Sequence, residues 1–249
     1  MRHLWLLVGL LTALAASPAS AGIITENFDG GTFNSQLFEF VDGSGEIIDG
    51  RMISLDRALF RTVRNDLVPT ESTPLTIQAD LTFLQSSIDI AFLAWRSDGL
   101  TEPVNHEPGS ALYYRIHNFL DGEVNLALAP RTNFSNYSGF LLTYQNPGDA
   151  FWSVGETVRV SVLDNGSQIT ATFDNLATGV SFSDNAVVEV SRPVNHVAFS
   201  GNDPWDSVGL DAQAVAWDNI MISHAAIPEP STALLLGIGL VGLAARRRA

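Results

Sequence analysis

Acidic residues near the two ends of the central region are the first candidates for chemistry. Glu26 and Asp29 lie in the segment ITENFDGG at its start, and Asp218 lies in AVAWDNIMIS at its end. Carboxylate oxygens are the ligands that Ca²⁺ prefers, so these three side chains predict a calcium site if the two segments meet in space. No cofactor is required by the sequence, and calcium is the one candidate that these residues offer. The alternative is that all three are solvated turn residues, since Asp is a common turn former, and no EF-hand spacing is present.

Aromatic residues in loop-like segments are the second candidates, because sugars stack on exposed aromatic rings. Trp205 stands between Pro204 and Asp206 in a turn-like stretch. Tyr137 and Tyr144 lie in a segment rich in Asn, Ser, Gly and Tyr that we predict to be a long surface loop. Trp205, Tyr137 and Tyr144 are therefore candidate glycan-binding residues. Three other tryptophans lie in strand-like segments and are predicted to be core residues: Trp95, Trp152 and Trp217.

Catalytic chemistry finds less support. Glycoside hydrolysis needs two carboxyl groups at a fixed separation, yet no E-x-D-x-E-like run is present, and Glu46 and Asp49 would point to opposite faces of a strand. The G-x-S-x-G and H-E-x-x-H motifs are absent, as is cysteine. We therefore expect no catalytic residues and a protein that is not an enzyme. A glycan hydrolase of jelly-roll type is the alternative.

The charge balance excludes one class of partner. The 249-residue chain has a formal net charge of −14 and no lysine. An acidic surface of this kind repels nucleic acid. Because the chain has 0 cysteines, its stability must come from a packed core rather than from disulfides.

Period-2 alternation dominates the central region and predicts strands. Apolar residues alternate with polar ones in LTIQADLTF and again in TVRVSVLD, and the turn signal DNGS separates the second segment from its return strand, QITATF. SIDIAFLAW is more continuously apolar, as expected of a strand covered on both faces. The pattern predicts an all-β fold, an antiparallel β-sandwich of jelly-roll type. The strand-like first and last segments are expected to pair and to hold the two ends of the domain together.

The N-terminus predicts a signal peptide over residues 1–21. Arg2 and His3 precede an apolar run that is shorter than the about 20 residues of a membrane span, and Ala19 and Ala21 supply the small-x-small cleavage pattern. The predicted β-sandwich domain then covers residues 22–226.

The C-terminal segment, residues 227–249, resembles the PEP-CTERM sorting signal of Gram-negative bacteria. Ile227 and the triplet Pro228-Glu229-Pro230 precede a short hydrophobic helix, and Arg246-Arg247-Arg248 follows it. The resemblance implies transient insertion in the inner membrane and cleavage near Pro-Glu-Pro by an exosortase-type membrane protease. It also implies delivery to the cell surface or the extracellular polysaccharide matrix. A permanent anchor is the alternative, but the apolar run is short for a relaxed span.

The central domain is similar to concanavalin A-like (laminin G-like) sandwiches. The stretches that carry this likeness include LTIQADLTFLQSSIDIAFLAWRSDG and VAWDNIMIS. A galactose-binding-like jelly roll is the runner-up, a fold in which an acidic residue near the start and an Asp in the last strand often share a structural calcium. We expect a non-catalytic structural or glycan-associated component of the bacterial surface or matrix. A calcium-dependent carbohydrate-binding module is the alternative.

Replacing Pro228, Glu229 and Pro230 with alanine is expected to leave the full-length chain in the inner membrane, because the protease loses its recognition sequence. Membrane fractionation and the intact mass of the product measure this. A chain ending at residue 226 is the control and is expected to be released and folded. Normal processing of the alanine variant would show that the sorting interpretation is wrong.

Overall fold

The computed structural model describes the chain in eight stretches: residues 22–84, 89–97, 111–118, 124–131, 143–145, 151–188, 195–202 and 213–224. These stretches contain thirteen strands: β1 (Gly22–Glu26), β2 (Phe38–Ile48), β3 (Arg51–Thr62), β4 (Leu75–Phe83), β5 (Asp89–Ser97), β6 (Ala111–Asn118), β7 (Val124–Arg131), β8 (Thr143–Gln145), β9 (Thr157–Asp164), β10 (Gln168–Asn175), β11 (Ser181–Val187), β12 (His196–Asn202) and β13 (Gln213–His224). Over this part of the chain, no helix has the length and hydrophobicity that a membrane crossing requires. The all-β prediction is confirmed.

The strands form two layers joined through β13. One layer has the order β1-β13-β4-β9-β10-β11, and the other continues as β2-β3-β12-β5-β6-β7-β8. The first half of β13 pairs with β3 and the second half pairs with β1, so one long strand belongs to both layers. Every strand pair is antiparallel. The layers pack face to face as a sandwich, as the alternating sequence predicts.

The predicted terminal pairing is also confirmed. In β1 and β13, Gly22 lies opposite His224 and Glu26 lies opposite Ile220. The inward side chain of β1, Ile24, is 4% exposed and joins the main core. The first and last strands of the domain therefore share one edge of the same layer.

Turn chemistry fixes two of the hairpins. The predicted DNGS turn connects β9 to β10, where Gly166 has φ of +95° and the side-chain oxygen of Asn165 accepts a hydrogen bond of 2.7 Å from the Gln168 amide. Asp49 and Gly50 connect β2 to β3 with φ of 51° and 73°, the geometry of a type I′ turn. Glu46 lies in β2 and Asp49 lies in this turn, so they do not form a pair on one strand.

Aromatic side chains fill the space between the layers. Trp95 and Trp217 are 0% exposed and Trp152 is 2% exposed, which confirms the prediction that all three are core residues. Phe199 of β12 stacks on Phe60 of β3 at 5.2 Å between ring centroids, and it also packs against Trp217 at 5.2 Å. Large aromatic side chains of this kind supply much of the apolar area that folding removes from water.

A buried ion pair fastens the two layers to each other. Asp164, at the end of β9, is 0% exposed, and both of its oxygens accept hydrogen bonds from Arg96 of β5, at 2.9 and 2.7 Å. The Trp95 indole donates to the same carboxylate at 2.8 Å, and the Gly166 amide donates at 2.8 Å. The carboxylate is thereby fully hydrogen-bonded, which is the condition under which a buried charge is tolerated.

Arg96 is held in a strained backbone conformation by this network. Its φ is +50°, a region that residues with a side chain adopt at a cost. The Arg96 amide donates to the side-chain oxygen of Asn195, whose own amide group donates to the Leu67 carbonyl. Arg96 Nη2 also donates to the Gly166 carbonyl at 2.8 Å. The ion pair thus links β5, the β9–β10 turn and the loop that follows β3.

Asp164→Asn is expected to lower the free energy of unfolding by about 3–5 kcal/mol, because it removes the carboxylate charge that pairs with the buried Arg96 guanidinium. Urea unfolding followed by tryptophan fluorescence measures this. Asp66→Asn is the control, because it breaks an Arg64–Asp66 pair whose side chains are 39% and 66% exposed, and such pairs contribute about 0–1 kcal/mol. Equal losses for the two variants would contradict the role assigned to Asp164.

Candidate functional site

The paired terminal strands bring two of the three predicted calcium ligands near each other. Asp218 is half-buried in β13, and Asp29 lies in the turn after β1. Burial raises the pKa of Asp218, the negative charges of Asp80 and Asp29 raise it further, and Arg51 lowers it. Asp218 is therefore a carboxylate in an unfavourable electrostatic position with no ion-pair partner among the described residues.

Glu26 does not join these two carboxylates. One of its oxygens accepts a hydrogen bond of 2.9 Å from the Phe28 amide, so the side chain closes its own turn. Within the described stretches, no group of three or more acidic or histidine side chains is placed so that it could hold a metal ion. This geometry does not support a calcium site made of Glu26, Asp29 and Asp218. Glu26 departs from the prediction because its carboxylate is bonded to the Phe28 amide within its own turn, and the sequence pattern does not reveal this bond.

A second set of residues on this face was not singled out from the sequence. Asp80 of β4 is 4% exposed and lies directly opposite Arg159 of β9. Arg159 donates to both oxygens of Asp80, at 2.8 and 2.9 Å, and the Asn219 side chain donates to one of them at 3.0 Å. The hydrogen-bonded Asp80 carboxylate raises the pKa of Arg159. The ion pair therefore fixes the positions of Arg159 and Asn219 on the outer face of the layer.

A β-bulge turns Asn219 toward solvent. The register between β13 and β4 shifts between Asp218 and Met221, and Asn219 has φ of +47°. Asn tolerates this left-handed conformation better than most residues with a side chain. Bulges often re-aim a side chain beside a functional site, and here the bulge exposes the Asn219 amide between two clefts.

Three adjoining clefts form a polar groove on this outer face. The first, of about 400 Å³, includes among its lining residues Thr25, Glu26, Gln78, Arg159, Asn219 and Met221. The second, of about 420 Å³, includes Arg51, Asp80, Thr82, Thr157, Asp218 and Asn219. The third, of about 410 Å³, includes Glu26, Thr32, Phe33, Asn34, Ser35 and Gln36. We call the three together the polar groove.

The clefts adjoin one another, because they share lining residues. Asn219 lines the first and second clefts, and Glu26 lines the first and third. Each volume lies in the range of about 300–1,000 Å³ that is usual for small-ligand sites. Amides, hydroxyls, carboxylates and guanidinium groups line the groove, so it can hydrogen-bond a hydroxyl-rich ligand through both donors and acceptors.

The other predicted site residues fall outside the description. Trp205 and Tyr137 lie outside the described residues, as do Ala19 and Ala21 of the predicted signal peptide. The same holds for the predicted sorting residues, which are Pro228, Glu229, Pro230, Arg246, Arg247 and Arg248. Tyr144 lies in β8, where its backbone pairs opposite Ala127, so the prediction of a surface loop is wrong for this part of the segment, which adds a short strand to the edge of β7. The glycan-binding role of Trp205, Tyr137 and Tyr144 stays a prediction.

Comparison with protein families identifies the C-terminal segment. The PEP-CTERM protein-sorting motif matches residues 226–248, in agreement with the sorting signal that the sequence predicts. The motif implies transit through a membrane and export to the cell surface. No curated protein matches the chain in sequence.

Solved structures identify the fold. Lectin II from Ulex europaeus superimposes with a TM-score of 0.59 at 10% identity, covering 84% of this chain and 100% of the lectin. The winged bean acidic lectin complexed with methyl-α-D-galactose gives 0.61 at 9% identity, covering 82% and 99%. The carbohydrate recognition domain of Emp47p gives 0.59 at 11% identity, covering 84% and 100%. The chain therefore has the legume-lectin, concanavalin A-like sandwich fold, as predicted.

Asp218→Asn is expected to stabilise the protein by about 0.5 kcal/mol at neutral pH, because it removes a partly desolvated charge beside Asp80 and Asp29. The folded state raises the pKa of Asp218, so folding favours the protonated carboxyl. The loss of stability that the charged carboxylate causes therefore grows as pH rises through that pKa. The gain should therefore vanish at about pH 3, below the ordinary Asp pKa of about 3.9. Urea unfolding at both pH values measures it.

Glu71→Gln is the matched control, because it makes the same change of net charge in an exposed turn. An equal gain in the free energy of unfolding for the two variants would show that the change in net charge, and not the surroundings of Asp218, causes the effect. Calcium that raises the melting temperature of the wild type but not of Asp218→Asn would show that Asp218 is a calcium ligand after all.

Proposed function

We propose that this chain is an exported, non-catalytic component of the surface or extracellular polysaccharide matrix of a Gram-negative bacterium, and that it binds polysaccharide. One observation carries the proposal: a chain with a surface-sorting motif has a sandwich like those of named lectins over 84% of its length. The predicted signal peptide starts export. An exosortase-type protease then cuts near Pro228-Glu229-Pro230 after transient insertion in the inner membrane.

The polar groove supports binding of a hydroxyl-rich ligand. At identities of about 10%, no lectin's sugar preference transfers to this chain, so the proposal rests on side chains present here. Gln78 is half-buried in the first cleft and has no hydrogen-bond partner among the described residues, and Asn219 is exposed beside it. Amide groups of this kind both donate to and accept from sugar hydroxyls.

The arrangement of the groove's carboxylates favours binding over hydrolysis. Asp80 is occupied by Arg159 and Asn219, and Glu26 is bonded to the Phe28 amide. Glu156 accepts hydrogen bonds from the Ser153 amide at 3.0 Å and from the Asn175 side chain at 2.8 Å. A glycosidase needs one carboxyl group that gives a proton and a second that attacks or activates water. With these three occupied, Asp218 is the accessible carboxylate among the described residues of the groove, and one carboxyl group cannot fill both roles.

The test is affinity electrophoresis of the secreted protein in gels that contain the producing organism's own extracellular polysaccharide. We expect retarded migration relative to polysaccharide-free gels, with an acidic protein of similar size as the control. A reducing-end assay on the same mixture is expected to show no new chain ends. A calcium-dependent module would lose its retardation in EDTA, whereas the groove alone predicts that EDTA has no effect.

Two results would contradict the proposal. New reducing ends would make the protein a hydrolase. If the protein migrates without retardation in every gel, it is a structural component without glycan affinity.

A further inference from the structure

The shape of the polar groove indicates what kind of glycan it can hold. Along β4, the groove extends from Gln78 in the first cleft to Thr82 in the second. Four residues of a strand span roughly 13 Å, and the third cleft continues the groove beyond Glu26. A single sugar would occupy only part of this length. The groove therefore suits a chain of several sugar units better than one terminal sugar.

Three side chains of the groove have few or no partners within the described part of the chain. Gln78 and Arg51 have no side-chain hydrogen bond or ion pair among the described residues, and Asp218 is bonded only to Asn219, through the backbone amide at 2.6 Å and the side chain at 3.3 Å. An unpaired guanidinium, an unpaired amide and an accessible carboxylate give the groove both donors and acceptors in successive clefts. Sugar hydroxyls, which donate and accept at once, match such a lining.

The charges in the groove discriminate between classes of polysaccharide. Arg159 is neutralised by Asp80, and the remaining acidic side chains outweigh Arg51; they are Glu26, Glu156 and Asp218. The chain as a whole carries a formal charge of −14. A polysaccharide rich in carboxylate or sulfate groups would therefore be repelled at the distances where association begins.

Resting on the proposed function, we infer that the polar groove binds an internal segment of an uncharged polysaccharide, laid along β4 across the Asn219 bulge. Gln78 and Arg51 donate to its hydroxyls. Asp218 and the side-chain oxygen of Asn219, whose NH2 group is taken up by Asp80 and Asp218, accept from them. The ion pair between Asp80 and Arg159 positions Asn219 for this contact. The site lies on the outer face of the layer that contains both terminal strands.

The test compares variants for binding to three probes: the uncharged polymers dextran and galactomannan, and the acidic polymer alginate. Gln78→Ala and Arg51→Ala are each expected to weaken binding to an uncharged polymer by about threefold to tenfold, which corresponds to one hydrogen bond. Asn219→Gly removes the amide while keeping a residue suited to φ of +47°, and the same loss is expected. Gln168→Ala is the matched control, because Gln168 is exposed on β10 outside the clefts; its affinity should not change.

Affinity electrophoresis with each polymer, and titration calorimetry with galactose and glucose, give the outcomes. The wild type is expected to bind dextran or galactomannan, to bind alginate at least tenfold more weakly, and to show no measurable affinity for either free sugar. Retained affinity in Gln78→Ala and Arg51→Ala would overturn the groove assignment while leaving polysaccharide binding intact. Tighter binding of alginate would overturn the charge argument, and equal affinity for a free sugar would overturn the internal-segment argument.

Failure of the wild type to bind any polymer, including the producer's own polysaccharide, would instead remove the proposed function itself. Thermal melting of each variant is recorded alongside. If Asn219→Gly is destabilised, its binding result is set aside, and the groove assignment is judged from Gln78→Ala and Arg51→Ala.

Discussion

The buried pair of Arg96 and Asp164 is the contact on which the sandwich most depends. It joins β5 of one layer to the end of β9 in the other, and the carboxylate also accepts from Trp95 and the Gly166 amide. Apolar packing between layers is strong but non-directional. A fully bonded charge pair is directional, so it specifies the register in which β5 meets the β9–β10 turn. The left-handed conformation of Arg96 shows that the backbone accommodates this geometry at some cost.

With the layers fixed, β13 determines where a ligand can bind. Its first half belongs to the seven-stranded layer through β3, and its second half holds β1 in the six-stranded layer. Between these two halves lies the bulge at Asn219, which breaks the regular register with β4. The irregularity opens the outer face at that point, and Asp80 and Arg159 keep Asn219 in place. The polar groove is thus a consequence of one strand that serves two layers.

This arrangement suits a protein that works outside the cell. The core is built without disulfides, from aliphatic and aromatic packing together with the buried pair of Arg96 and Asp164, while the outer face of the six-stranded layer carries polar side chains such as Gln78, Arg159 and Asn219. The sorting motif lies at residues 226–248, directly after the domain's last strand. Because β1 and β13 pair, the predicted signal-peptide junction and the sorting segment leave the domain at neighbouring positions.

Local sequence pattern determined much of the fold. Alternation in β4 and β9, the DNGS turn and the buried tryptophans follow from side-chain periodicity and turn chemistry, which act between near neighbours in the chain. The strand-like character of the two terminal segments is local as well, although their pairing joins Gly22 to the distant His224. The sorting segment can also be recognised from sequence, because its proline, apolar and arginine elements are contiguous.

The polar groove was decided by tertiary structure alone. Asp80 and Arg159 are 79 residues apart, and nothing local indicates that β4 and β9 are neighbours. The bulge at Asn219 arises from a register between distant strands, and the turn bond that draws Glu26 away from Asp218 depends on how the chain bends after β1. Contacts between distant segments are set by which strands pair, and that choice belongs to the packed core as a whole.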